Sequence, residues 1–155
     1  MVNRRNFLIL ASAALLAAPT SANAQRRPRI LFVCQFGSVK SPIARELLKR
    51  AAQRRGVRLE VSARGITPED HISAELKARL ASEGINPAAE PLRQLRPEDV
   101  AAADLVVGFA KLPPKLLPRH FADWTDLPSM NNDYIGARAL LDVRIEQLLD
   151  TFARR

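Results

Sequence analysis

The sequence predicts an α/β fold, a parallel sheet with helices on both faces in three layers. Three observations carry that prediction. Short continuous apolar runs recur along the chain, stretches with helical spacing alternate with them, and glycines close the helices. Strands buried on both faces read as unbroken apolar runs, and a strand–helix–strand alternation places parallel neighbours in one sheet.

The elements follow in order. Ile30 to Val33 is the first apolar run and reads as a buried strand. Pro42 to Arg54 reads as a helix: Ile43, Leu47 and Ala51 recur at spacing four with Ala44, Leu48 and Ala52 beside them, and Gly56 ends it. In VRLEVSA, Val57, Leu59 and Val61 alternate, which predicts a second strand. Ser73 to Glu83 is a helix with Leu76 and Leu80 inward and Gly84 beyond its end. A short helix from Pro97 precedes a buried strand over Ala103 to Phe109, and LPPKLLP then breaks regular structure. The last helix spans about Gly136 to Phe152, with Leu140, Leu141, Val143, Ile145, Leu148 and Leu149 as its apolar stripe.

Residues 1–24 stand apart from this pattern. Arg4 and Arg5 head an apolar run from Phe7 to Ala18, which ends in Ala22-Asn23-Ala24. This is the build of a cleaved export signal. NRRNFL places the arginine pair as in a twin-arginine signal. The apolar run is too short for a stable anchor, which needs ~20 residues. The expectation is a periplasmic protein cleaved before Gln25, with residues 25–28 as a short linker and 29–155 as one domain. Losing Arg4 and Arg5 lowers the formal net charge from +8 to +6. A basic field favours anionic partners. No basic run interleaved with aromatics marks a nucleic-acid track. One cysteine and two histidines do not make a metal cluster, and neither a metal nor a cofactor is expected.

The single cysteine, Cys34, falls at the carboxyl end of the first strand, where open α/β sheets bind ligands. The loop Gln35-Phe36-Gly37-Ser38-Val39 leads into the helix. Its backbone N–H groups and the helix N-terminus favour an anion. The same field favours the thiolate of Cys34. Ser41 is expected as the helix N-cap with Pro42 at N1, its hydroxyl also reaching the thiolate. Lys40 adds a full positive charge. A nucleophile at the floor of an oxyanion cradle suits attack on phosphorus, and a small buried core cysteine is the plain alternative.

ILFVCQFGSVKSPIARELLK resembles the opening of the low-molecular-weight protein tyrosine phosphatase family, which also contains thioredoxin-coupled arsenate reductases. The family has an apolar strand, Cys, five residues, Arg, Ser and a helix. VSARGITP, ASEGINPAAEPLRQL, EDVAAADLVVGF and DWTDLPSMNNDYIG resemble its later segments in order, over about Arg29 to Phe152. The resemblance implies a four-stranded sheet, a phosphate-binding loop of Gln35 to Val39 with Ser41, and Cys34 as nucleophile forming a cysteinyl-phosphate. Three departures stand out. Lys40 replaces the loop arginine and gives up its bidentate fork. Phe36 and Gly37 replace glycine and asparagine, the latter normally left-handed, a conformation glycine takes freely. Ser129-Met130 stands where the family has its Asp-Pro acid, so Asp126 is taken as the acid, with Asp133 as the alternative. Trp124 and Tyr134 are expected to flank the substrate.

The implied function is a slow phosphatase acting on phosphotyrosine in proteins or on small phosphate monoesters. A family member that binds oxyanions or phosphorylated ligands without turnover is the alternative. An arsenate reductase is disfavoured, because its disulfide relay needs further cysteines, and a sulfurtransferase fits the segment order less well.

Overall fold

The computed structural model describes residues 26–154. The expected export signal lies outside these residues. The sheet has four parallel strands in the order β2-β1-β3-β4: β1 (Arg29–Cys34), β2 (Glu60–Gly65), β3 (Leu105–Gly108) and β4 (Phe121–Asp123). Four α-helices connect and close it: α1 (Lys40–Arg55), α2 (Ala74–Ser82), α3 (Pro97–Ala102) and α4 (Tyr134–Ala153).

Side chains on β1 alternate between two cores, as the period of a strand requires. Ile30, Phe32 and Cys34 join the larger core with Ile43, Leu47 and Leu48 of α1, Leu76 and Leu80 of α2, and Leu141, Ile145 and Leu149 of α4. Leu31 and Val33 face the other way, into a smaller core with Leu95, Val100, Ala103 and Val106. Burial on both faces explains why this strand is apolar from Ile30 onward.

Several boundaries differ from the sequence reading. Helix α1 starts at Lys40, with Val39 at the N-cap making no side-chain capping bond, so Ser41 and Pro42 lie inside the first turn. Strand β2 starts at Glu60, because the N–H of Val57 still bonds to the carbonyl of Ala52 at the helix end. Strand β4 has only three residues, too few to show a periodicity. The excursion after α2 returns to the edge of β2, where Gly65 N–H donates to the Arg93 carbonyl at 3.0 Å and Leu95 N–H to the Gly65 carbonyl at 2.8 Å. Arg45, 2% exposed, ties that excursion to α1 by donating to the Pro87 carbonyl at 3.1 Å and pairing with Glu46 at 2.7 Å and Glu90 at 3.6 Å.

The strand order reverses at β1, which has β2 on one side and β3 on the other. Such a switch point leaves a crevice beyond the carboxyl ends of the strands. Cys34 is the last residue of β1.

Candidate active site

Cys34 closes β1 and turns its side chain to the larger core face, with 7% of its surface exposed. Its Sγ lies 3.0 Å from Ser41 Oγ and accepts the Gly37 N–H at 3.2 Å. Ser41 is fully buried in the first turn of α1, and its Oγ also lies 3.3 Å from the Arg64 carbonyl at the end of β2. That single hydroxyl hydrogen can serve either state of the sulfur. With the thiol, S–H donates to Oγ and the hydroxyl donates to Arg64. With the thiolate, the hydroxyl turns to Sγ. Ser41 is therefore not a helix cap, because its hydroxyl is committed to the sulfur and to the neighbouring strand.

The loop from Gln35 to Val39 is pressed against the segment after β2. Gly37 adopts φ +70, and a Cβ there would stand 2.7 Å from Gly65 N and 2.8 Å from Gly65 Cα. Cys34, Gln35 and Phe36 carbonyls accept the N–H groups of Ile66 at 3.1 Å, Thr67 at 2.8 Å and Glu69 at 3.1 Å. Ser38 Oγ accepts the His71 N–H at 3.0 Å, and Gln35 Nε2 donates to Thr67 Oγ1 at 2.8 Å. Phe36 stacks on His71 with ring centroids 3.8 Å apart, and His71 Nε2 lies 3.1 Å from Glu69. Phe36 thus has an aromatic partner within the chain. Among the described residues, the N–H groups of Ser38, Val39, Lys40 and Ser41 have no protein acceptor, as expected where a loop enters a helix and presents donors to an anion.

The 123–133 loop faces this cradle. Lys40 Nζ crosses to it and donates to the Leu127 carbonyl at 2.5 Å. Partial burial lowers the Lys40 pKa below the ordinary lysine range, against the opposing attraction of Cys34 and Asp126. Asp126 is gripped by both arms of Arg144 at 2.8 and 2.5 Å. That hydrogen bonding holds its carboxyl below the usual range and favours the carboxylate. Asp133 caps α4 by accepting the Gly136 N–H at 3.0 Å. Asp123 accepts from the N–H and hydroxyl of Thr125 at 2.9 and 2.7 Å. Ser129 is exposed, and its carbonyl accepts from Asn132 and Asp133.

The two aromatic residues expected beside the substrate both make contacts within the chain. Trp124 is 9% exposed and packs against Phe32 and Phe109, with Arg144 over its ring. Tyr134 is half-buried; its hydroxyl donates to Glu83 at 2.8 Å and accepts from Arg138 at 2.8 Å, bridging α2 and α4. Three contributors were not singled out in the sequence. Arg144 shows no signal there beyond a polar position in a helix. Asn131 joins the 123–133 loop to the segment before α2, accepting from Ser73 N–H and donating to the His71 carbonyl. Gly65 was visible within VSARGITP, but its contact with Gly37 was not. Among the described residues no cluster of His, Cys, Asp and Glu could hold a metal ion.

The family described as low molecular weight phosphotyrosine protein phosphatase matches residues 29–146. No curated protein matches the chain. Among solved structures, YfkJ from Bacillus subtilis superposes with a TM-score of 0.66 at 18% identity, over 83% of this chain and 96% of that one. A low molecular weight protein tyrosine phosphatase from T. tengcongensis gives 0.63 at 19% identity, over 80% and 99%. The thioredoxin-dependent arsenate reductase Cg_ArsC1' of Corynebacterium glutamicum gives 0.63 at 24% identity, over 84% of this chain and 64% of that one. At these identities the likeness is one of fold.

Proposed function

The chain belongs to the low molecular weight phosphotyrosine protein phosphatase family, and from this premise we propose that it hydrolyses aryl phosphate monoesters, phosphotyrosine among them, through a cysteinyl-phosphate. The observation that carries the proposal is Cys34 Sγ at the floor of the loop, with Ser41 Oγ at 3.0 Å and the Gly37 N–H at 3.2 Å. The Cys34 thiolate attacks phosphorus, the S–P bond forms, and the ester P–O bond breaks with its electron pair leaving on the aryl oxygen. The loop N–H groups and Lys40 hold the charge on the equatorial oxygens. Water then attacks phosphorus, releasing phosphate and restoring the thiolate, for which Ser41 is the donor.

The aryl preference follows from the facing loop. Asp123, Asp126 and Asp133 are each engaged by other groups, and Asp126 is held as a carboxylate. A leaving oxygen therefore departs with little help from an acid. Phenols, with pKa about 10, tolerate this better than alkyl alcohols. The contact from Lys40 to Leu127 favours a second reading, an oxyanion binder with little turnover, because the ammonium already has an acceptor.

Turnover of p-nitrophenyl phosphate by the mature chain, beginning at Gln25, separates the two readings. The phosphatase reading expects measurable turnover that is abolished in Cys34→Ser. It expects Lys40→Ala to lose roughly two to three decades, the scale of one oxyanion donor, and Lys40→Arg to gain. No turnover combined with thermal stabilisation by phosphate or vanadate selects the binder. We also propose periplasmic export, supported by the arginine pair, apolar run and Ala22-Asn23-Ala24 of residues 1–24. Mass spectrometry of the exported protein tests it, and a protein retained uncleaved in the cytoplasm overturns it.

A further inference from the structure

A second concentration of positive charge lies at the other end of the sheet, where the strands begin. A cavity of about 1270 Å³ opens there beside the first residue of β3 and the segment entering β1. Its cationic lining is all arginine: Arg26 and Arg27 before β1, Arg55 at the end of α1, Arg58 before β2 and Arg119 before β4. Two of these are neutralised. Arg26 donates to Asp104 at 2.5 Å, and Arg55 pairs with Glu146 at 3.1 Å and Asp150 at 2.7 Å. Arg27 and Arg58 have no carboxylate partner among the described residues. Arg119 only attracts Asp104 through space, and Asp104 is already bonded to Arg26 and to the Arg29 N–H.

Val57, Leu105 and Leu148 add apolar surface to the same lining. Three exposed guanidinium groups without a close carboxylate partner raise the local positive potential, which favours an anion here. Guanidinium forks match the oxygen geometry of phosphate, where lysines would offer only point charges. The cations come from separate stretches of chain and converge on a concavity, a shape suited to a discrete ligand more than to a flat bilayer.

We propose that this cavity is a second anion site, taking a soluble ligand with clustered phosphate groups. It is distinct from the Cys34 loop. The six residues of β1 separate the two, a distance of about 20 Å at ~3.3 Å per residue. The site does not depend on the phosphatase reading, because none of its arginines touches the loop.

Inorganic tripolyphosphate is the probe, titrated into the mature chain by calorimetry and followed by amide chemical shifts. The expected result is a site that moves the amides of Arg58, Arg119 and His120. It should be weakened about ten-fold or more in Arg58→Ala/Arg119→Ala, two charge-assisted contacts being removed, and kept in Lys40→Ala. Both arginines are exposed, so the double variant should retain the parent's circular dichroism; Arg58→Glu, which reverses one charge, gives an independent variant with the same expected direction. Shifts confined to residues 34–41, equal affinity in the parent and both variants, or no binding would overturn the proposal. So would binding to phosphatidylglycerol vesicles without binding of tripolyphosphate.

Discussion

Gly37 and Gly65 set how closely the loop and the end of β2 can approach. A Cβ on Gly37 would meet the Gly65 backbone, and a Cβ on Gly65 would stand 2.7 Å from the Phe36 carbonyl carbon and oxygen and 2.8 Å from Gly37 N. Gly37 also holds φ +70, where a side chain is strained whatever the space. Gly37→Ala is expected to cost about 1–3 kcal/mol and to lower turnover, with the cost read from urea unfolding. Asp126 offers a different residue-scale test. Its folded pKa is lowered by the hydrogen bonds from Arg144, so its pairing stabilises the fold fully above the unfolded value of ~3.9 and fades as pH falls through the lower folded one. Arg144→Gln should move the Asp126 titration up toward ~3.9 and flatten that acid-side loss. Carbon-13 NMR of the carboxyl reads the shift directly, and an unmoved titration would show that Arg144 is not what holds it.

The elements show why some of the fold and site was legible in the sequence and some was not. Strand β1 was plain because both faces are buried, and Cys34 at its end followed from strand position alone. The start of α1 departs from its sequence signal. Ser41-Pro42 has the composition of a cap followed by N1, but a hydroxyl in sequence does not reveal that a sulfur and a strand carbonyl will claim it. Strand β4 was implied by family resemblance and not by pattern, since Phe121–Asp123 is shorter than any periodicity test. Arg144 acts across chain separations that no local spacing reports. Asp133 illustrates the same limit: its sequence context does not reveal that its side chain caps α4 by accepting the Gly136 N–H. Asp133→Ala should therefore cost about 1 kcal/mol of stability and leave the pH profile of turnover unchanged. A shifted acidic limb would return Asp133 to the chemistry.

Among the described residues, the buried members of both cores lie within residues 30–149. A chain beginning at Gln25 should accordingly unfold cooperatively, with the same urea midpoint as the full chain. A lower midpoint would mean that the first 24 residues contribute to the fold. Anchoring is also global: α1 meets α4 through Arg55, Glu146 and Asp150, and meets the excursion beyond α2 through Arg45. The loop that carries Cys34 is thereby fixed at three borders, by β1, α1 and the segment after β2.

That last border makes the site observable without any substrate. The amide protons of Thr67, Glu69 and His71 end on oxygens of Gln35, Phe36 and Ser38 respectively. All three exchange with solvent only when the loop lifts away from its neighbour. Their deuterium uptake is a clock for loop opening, and a bound oxyanion that holds the loop down should slow all three together.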